Sequence, residues 1–245
     1  MFFLLVFVIF IVVLVILNPA PMSGDWQKAT RKSAGLVPLA QDDLEAKIQI
    51  YEAKAFAWRG KFSVHTWIAV KEKNSQSYFV SHVALWNLYN SNVVIAFEKD
   101  LPDRYWYGAK PKIIFSASGS KAEKIIPKIY QAINSYPYPT RYNAYPGPNS
   151  NSFISFIIRQ TPEIKIALPS NAIGKDWLCG KRKFFAICES KTGIQFCAWG
   201  MFGVLFGLVE GFEINIIGLS FGIDFMRPAL KLPIIGRVGF GAKIN

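Results

Sequence analysis

The fold of this chain is decided by the stretch "FSVHTWIAVKEKNSQSYFVSHVALW", residues 62–86. Valine, isoleucine, threonine and aromatic residues alternate with other residues on both sides of the polar cluster "NSQS", residues 74–77, which predicts two antiparallel strands joined by a turn. The segment "KIQIYEAKAFAW", 47–58, alternates in the same way, and "NVVIAFEK", 92–99, has the composition of a further strand. The sequence therefore predicts an antiparallel meander.

Two helices are predicted after the meander. "SGSKAEKIIPKIYQAIN", 118–134, carries apolar residues at helical spacing, with Ser120 as N-cap and Glu123 completing a capping box. Pro127 lies inside this pattern, so a kink or an early end is allowed for. The proline- and tyrosine-rich segment 135–148 predicts an extended crossing, and the apolar spacing from Ser150 onward predicts the second helix.

Glycines punctuate apolar runs of strand length from Phe184 onward, and "KTG" and "VEG" are turn signals. The run 196–209 is too short, and too rich in glycine, for a membrane span. We therefore predict hairpins packed against the main sheet. The fold class is α+β, divided into 1–18 (membrane anchor or signal segment), 19–46 (tether), 47–183 (core domain) and 184–245 (β-hairpin extension).

The N-terminal run "FFLLVFVIFIVVLVIL", residues 2–17, is uninterrupted and apolar. It predicts a signal peptide or a retained transmembrane helix, and the poor cleavage site in "NPAPMSG" favours the retained anchor. The basic residues Lys28, Arg31 and Lys32 come after the run and argue for a cytoplasmic body. In the commoner arrangement, a bacterial N-terminal anchor exports the domain that it carries, and the prediction leans slightly to the extracytoplasmic side.

The charge of the chain lies entirely after the apolar run. Lys and Arg number 28 against 16 Asp and Glu, a formal net charge of +12, and no charged residue precedes Asp25. A basic domain at a membrane is attracted to anionic headgroups or envelope polymers. A generally basic surface without a dedicated partner is the plainer interpretation. No lysine- or arginine-rich run is dense enough to predict a nucleic-acid partner.

The three cysteines are Cys179, Cys188 and Cys197. The absence of a C-x-x-C motif and the presence of only two histidines argue against a metal site, and no cofactor is expected. Cys188 and Cys197 would face each other if Thr192-Gly193 formed a two-residue turn, so a disulfide is one alternative. Buried free thiols are the stronger one.

"NSNSF", residues 149–153, carries the candidate chemistry. Asn149 precedes the apolar run as an N-cap, so Ser150 stands on the first helical turn, where backbone N–H groups favour negative charge. His65, in the strand "VHTWIAV", is the candidate base, and His82 on the next strand is a candidate orienting partner. The plainer alternatives are an ordinary capped helix and core histidines.

These two motifs resemble the permuted papain-like superfamily, which includes acyltransferases, peptidases and bacterial cell-wall relatives. The resemblance implies that Ser150 occupies the position of a cysteine nucleophile, with Asn149 and Asn151 near the oxyanion. Serine is a poorer nucleophile than a thiolate.

A closer resemblance covers nearly all of the chain from Asp25. Its blocks resemble the bacterial membrane-associated family called domain of unknown function 3750, and they are "DWQKATRKSAGLVP", "WRGKFSVHTWIAV", "YPGPNSNSFISFIIR", "LPSNAIGKDW" and "RPALKLPIIGRVG". The sequence therefore predicts one of two functions. One is a hydrolase or acyltransferase that uses Ser150 and His65 on an amide or ester. The other is a catalytically inactive, membrane-tethered domain that binds a lipid, peptide or glycan.

Overall fold

The computed structural model describes residues 2–18, 25–179 and 184–240. Within these ranges the chain forms two antiparallel sheets and four α-helices, which confirms the α+β class. The first sheet has the strand order β4-β3-β2-β1-β5. Its strands are β1 (Lys47–Lys54), β2 (Val64–Lys71), β3 (Phe79–Val83), β4 (Ile95–Lys99) and β5 (Lys112–Ser118).

The predicted meander is confirmed, with two differences at its ends. The third strand stops at Val83, and helix α2 (Leu85–Ser91) begins where continued strand was expected. Asn92 closes this helix in the left-handed conformation, with φ of 60°. Strand β5, which the sequence analysis did not recognise, returns to pair with β1.

Two helices cover one face of the first sheet. Helix α3 (Gly119–Asn134) runs through Pro127 without a break, and its N-cap is Ser118 rather than the predicted Ser120. Helix α4 (Ser150–Gln160) is almost entirely buried. Both helices pack on the apolar residues that point from one face of β1 and β2, such as Ile50 and Ile68. Burial of this helical layer forms the main core.

The opposite face of the first sheet carries a smaller core. Tyr51 and Trp67 stack there with ring centroids 5.4 Å apart, and Trp106 from the loop after β4 closes over them. Residues 30–36 run beside that loop, where Ala34 donates to the Asp103 carbonyl and Gly108 donates to the Thr30 carbonyl. Residues 30–36, which belong to the expected tether, are thus hydrogen-bonded to the core domain.

The second sheet contains seven strands in sequential order. The hairpins predicted from the glycine pattern are present, and they form a separate sheet. Its strands are β6 (Phe185–Ile187), β7 (Gly193–Ala198), β8 (Phe202–Gly207), β9 (Gly211–Ile216), β10 (Leu219–Asp224), β11 (Ala229–Leu232) and β12 (Gly236–Gly239).

Helix α1 (Phe2–Leu17) lies against the second sheet. The rings of Phe7 and Phe10 pack on Phe221, with centroids 5.9 and 6.5 Å away. Asn18 donates to the carbonyls of Lys61 and Ile234, which fastens the end of the helix. Of the helices in the described ranges, none has both the length and the apolar content needed to cross a membrane, so the expected transmembrane helix is not found.

The three cysteines are free thiols, so the disulfide alternative is wrong. The turn between β6 and β7 begins earlier than Thr192-Gly193, because Cys188 already donates its N–H to the Gly193 carbonyl. Cys197 instead donates to the Phe184 carbonyl. The two cysteines therefore lie at opposite ends of the hairpin.

Candidate functional site

The N-terminus of α4 is capped as the sequence predicts. The Asn149 Oδ1 atom accepts from the N–H groups of Asn151 and Ser152, at 3.0 and 3.2 Å. The Asn149 N–H donates in return to the Ser152 Oγ at 2.7 Å, which completes a capping box. Ser150 is the first residue of the helix and is buried.

The two asparagines that flank Ser150 tie the helix to its surroundings. The Asn149 Nδ2 donates to the carbonyls of Ala144 and Ile173, both at 3.0 Å. The Asn151 Nδ2 donates to the carbonyls of Val64 and Ile173, at 3.0 and 2.8 Å. Both side-chain amides are therefore occupied by structural bonds, so neither has a free donor for an oxyanion.

The first sheet separates Ser150 from His65. Thr66 points toward α4, because its Oγ1 donates to the Asn151 Oδ1 at 3.0 Å and to the Ser150 carbonyl at 3.4 Å. Successive side chains of a strand point to opposite faces, so His65 points away from α4. Its ring stacks instead on Trp106, at a centroid distance of 3.7 Å. No hydrogen bond joins Ser150 and His65 among the contacts of the described residues, and the predicted catalytic pair is not brought together.

The structure does bring His65 and His82 together. Their rings meet edge to face with centroids 5.3 Å apart. Across the β2–β3 ladder Ala69 lies opposite Val80. His65 and His82 are each an even number of residues away from this pair, so both side chains point from the same face of the sheet.

A pocket of about 80 Å³ opens beside the histidines. We call it the histidine pocket; it is lined by His82, Arg31, Trp86, Glu98, Arg104 and the segment Tyr105–Tyr107. Trp106 forms its floor, stacked on His65 and 5.8 Å from Trp86. Arg31 lies over the Tyr107 ring at 4.4 Å, and Arg104 lies 5.7 Å from the Trp106 ring.

Burial keeps both imidazoles neutral. It lowers the pKa of His82 to about 3, and the neighbouring Arg104 charge contributes in the same direction. Burial, then His82 and Arg104, hold the pKa of His65 well below its usual value. A neutral imidazole offers one donor nitrogen and one acceptor nitrogen.

The hydrogen bonds of the two histidines are incomplete. The His82 Nε2 lies 3.5 Å from the Arg104 Nη2, and arginine can only donate, so Nε2 accepts and Nδ1 carries the proton. Among the described residues this Nδ1 makes no hydrogen bond of good geometry, although the Val83 backbone lies close enough to act on the pKa of His82, and the His65 Nε2 has no partner. His82 is 2% exposed, and an unpaired buried donor costs about 1–3 kcal/mol.

Arg104 and Trp106 are not among the site residues predicted from the sequence. They come from the segment "DRYWYG", residues 103–108, which follows β4. Its density of aromatic and basic side chains was the available signal. Across the described ranges, no group of three or more His, Cys, Asp or Glu side chains could hold a metal ion.

Fold and site together define an α+β protein of two antiparallel sheets, with a paired-histidine pocket on the first. Residues 45–177 match the model of a family described as "Protein of unknown function (DUF3750)", and the chain belongs to that family. The match covers the first sheet, α3, α4 and most of the histidine pocket, while the second sheet lies outside it. Searches of curated proteins and of solved structures found no match.

Proposed function

We propose that this protein is a catalytically inactive, membrane-associated binding domain, and that the histidine pocket holds an anionic group of its ligand. One observation carries the proposal: Arg31 lines the pocket beside His82, Trp86 and Trp106, and it makes cation–π contacts but no ion pair among the described residues. A negative group of a ligand would supply that ion-pair partner.

The composition of the pocket favours a ligand group with a single negative charge. Arg104 is paired with Asp100, and Arg31 is the cation of the lining that has no ion pair among the described residues. Trp86 and Trp106 supply flat apolar walls for the uncharged part of the ligand. A carboxylate or a phosphodiester matches this combination, and both occur in lipids and in envelope polymers.

Tryptophan fluorescence tests the pocket, because two of its walls are indole rings. The full chain in a non-ionic detergent is titrated with acetate in one arm and dimethyl phosphate in the other. We expect a saturable change in at least one arm, weakened about tenfold or more by Arg31→Gln, since charge-assisted hydrogen bonds contribute about 1.5–3 kcal/mol. Arg31 is exposed, so this variant leaves the fold intact.

The matched control is Arg141→Gln. Arg141 also lies over aromatic rings, those of Tyr138 and Trp177, but it does not line the histidine pocket. Its replacement should leave both titrations unchanged. An absence of saturation in both arms, or an equal loss with the two variants, would exclude ligand binding at this pocket.

The proposed lack of catalytic activity is tested separately, by labelling with a serine-reactive fluorophosphonate. The position of the sheet between Ser150 and His65 supports equal labelling of the wild-type chain and Ser150→Ala. A signal that depends on Ser150 would restore the hydrolase alternative, and with it the permuted papain-like interpretation.

Helix α1 supports the membrane part of the proposal. It has no polar residue, and side chains on different sides of it are exposed, among them Leu5, Val6, Val8 and Phe10. A helix that is apolar all round belongs in an apolar environment. Flotation with vesicles should decrease in Ile9→Gln/Ile16→Gln, and Leu44→Gln/Tyr89→Gln should float like the wild type.

We propose, in addition, that the body lies on the extracytoplasmic side, the arrangement common to bacterial N-terminal anchors. A reporter fused to the C-terminus, active only outside the cytoplasm, tests it. Activity of the complementary cytoplasmic reporter would contradict this orientation.

A further inference from the structure

The second sheet exposes apolar side chains and buries polar ones, which is the opposite of the usual arrangement. One face, which we call the outer face, carries exposed aliphatic and aromatic residues on successive strands, for example Ile194, Phe206, Ile214 and Leu230. An antiparallel sheet with one face in water normally points polar residues outward. Apolar and polar residues alternate here as strictly as in an ordinary sheet, but the apolar residues point outward and the polar residues inward.

The inner face of the same sheet is polar. Glu213 on β9 binds the ammonium groups of Lys175 and Lys231, at 2.7 and 2.5 Å. Asp176 binds Lys175 at 2.8 Å and accepts from Asn215 at 2.8 Å. Because these buried charges are paired and hydrogen-bonded, the sheet is held in this orientation and cannot turn its apolar residues inward.

The turns between the strands add to the apolar outer surface. Trp199 and Ile217 have φ angles of 52° and 51°, a conformation in which glycine and asparagine are the favoured residues. Trp199 is 65% exposed and Ile217 is 49% exposed. Each is followed by a glycine of positive φ in a hairpin turn, so the turn imposes this conformation, and each turn adds an exposed apolar side chain to this sheet.

The outer face continues into α1. Phe221 on β10 belongs to the outer face, and it is the residue on which Phe7 and Phe10 pack. Strands β7 to β10 have six residues each, and β6, β11 and β12 have three or four, so the outer face is about 20 Å long at its centre and about 30 Å wide. An area of roughly 500 Å² is near the upper end of the apolar patches of ordinary monomers, before α1 is added.

We propose that the outer face of the second sheet lies on a lipid bilayer, beside α1. A second copy of the chain could cover a flat sheet, but it would leave other sides of α1 exposed, whereas a bilayer accommodates both. The basic residue Arg227 lies in the turn between β10 and β11, and the chain has a net charge of +12, which suits anionic headgroups. The inference extends the membrane association proposed for α1 and rests on it only in assuming the same bilayer.

Vesicle flotation of the full chain tests this proposal. The chain is synthesised cell-free in the presence of vesicles of phosphatidylcholine with phosphatidylglycerol, or of phosphatidylcholine alone. The test variant is Ile194→Thr/Phe206→Thr, which removes two exposed side chains and retains strand propensity. We expect its partition coefficient to fall on the order of 10- to 100-fold, and we expect the wild type to prefer the anionic vesicles.

The control variant is Leu44→Thr/Tyr89→Thr. Leu44 and Tyr89 are 59% and 78% exposed, against 72% and 58% for Ile194 and Phe206, but they lie outside the second sheet. This control should float like the wild type. Equal far-ultraviolet circular dichroism of the two variants shows that both are folded.

Three results would overturn the proposal. Unchanged flotation of the sheet variant removes the bilayer contact, and an equal loss in the control removes its specificity. A vesicle-free dimer that Ile194→Thr/Phe206→Thr dissociates would assign the outer face to a second copy of the chain. The membrane association proposed for α1 is tested by a different variant. If that proposal fails, Ile9→Gln/Ile16→Gln floats like the wild type while the sheet variant does not.

Discussion

The two sheets of the molecule distribute polar and apolar side chains in opposite ways. In the first sheet, apolar residues of β1 and β2 point into cores on both faces, such as Ile50 on one face and Trp67 on the other. In the second sheet the apolar residues point out, and Glu213 and Lys231 point in. The first sheet has the pattern of a protein interior, and the second has the pattern of an element made for apolar surroundings.

This difference implies that the sheets depend on different forces. Burial of apolar area stabilises the first sheet, so the stability of this sheet is insensitive to the loss of a single charge. The inner face of the second sheet depends on a closed set of ion pairs, whose desolvation is offset only while every partner is present. Matched substitutions in the two sheets therefore measure the difference directly.

The largest expected effect is that of Glu213→Gln. It leaves the ammonium groups of Lys175 and Lys231 without their shared carboxylate, and removal of one partner from a buried pair costs about 3–5 kcal/mol. Urea unfolding followed by pulse proteolysis measures the loss. The matched change in the first sheet is Glu52→Gln.

Glu52 is a half-buried acid of a different kind. Its Oε2 has no partner among the described residues, and burial raises the pKa of its carboxyl, which favours the neutral acid. Glutamine resembles that neutral acid in shape, so we expect a cost within about 1 kcal/mol. Equal losses for Glu213→Gln and Glu52→Gln would break the comparison between the sheets.

Much of the first sheet could be predicted from the sequence, since strands such as β2 pack on both sides and keep the β-branched and aromatic composition of buried strands. The end of β3 and the start of α2 could not, because both boundaries depend on the loop that returns to Val94. For the candidate site, the cap of Asn149 is determined by adjacent residues alone. The relation of Ser150 to His65 depends on which face of β2 receives α4, and no local pattern specifies that face.

In the second sheet, too, local sequence patterns predict the strands but not which of their faces is buried. Its hairpins are indicated by glycines and turn signals, which act over a few residues. The direction of its faces is set by Lys175 and Asp176, which reach it from the loop after α4. An alternating strand has the same pattern whichever face is buried, so sequence periodicity predicted the strands without predicting their orientation.

A smaller effect is expected from acid on the histidine pocket of the first sheet. His82 is neutral in the folded state, with a pKa of about 3, and reaches its ordinary pKa of about 6.5 on unfolding. The unfolded state therefore binds more protons below pH 6.5, and stability falls as the pH decreases toward 3, by up to about 1.4 kcal/mol per pH unit. The other ionisable groups around His82 are His65, Arg31, Arg104, Glu98 and Asp100, which pairs with Arg104.

The measurement is the urea midpoint as a function of pH for the wild type, His82→Gln and Ser81→Ala. Glutamine stays neutral, so His82→Gln should reduce the slope between pH 6.5 and 4. Ser81→Ala changes the neighbouring residue without changing any charge and should keep the wild-type slope. A slope that His82→Gln leaves unaltered would assign the acid sensitivity to other groups.

The smallest effect on stability is expected on the outer face of the second sheet. Ile194→Thr removes apolar surface that is 72% exposed in the folded chain, so in the absence of lipid its unfolding free energy should change by no more than about 0.5 kcal/mol. The same substitution at Ile68, which is 1% exposed, removes a buried methyl group and buries a hydroxyl, and should cost about 2–4 kcal/mol. Anionic vesicles should then separate the wild type from Ile194→Thr, because lipid binding to the folded state raises stability by mass action only where the apolar contact remains. A loss at Ile194 as large as that at Ile68 without lipid would mean that the outer face is covered within the protein itself, and the inverted sheet would then be a second core.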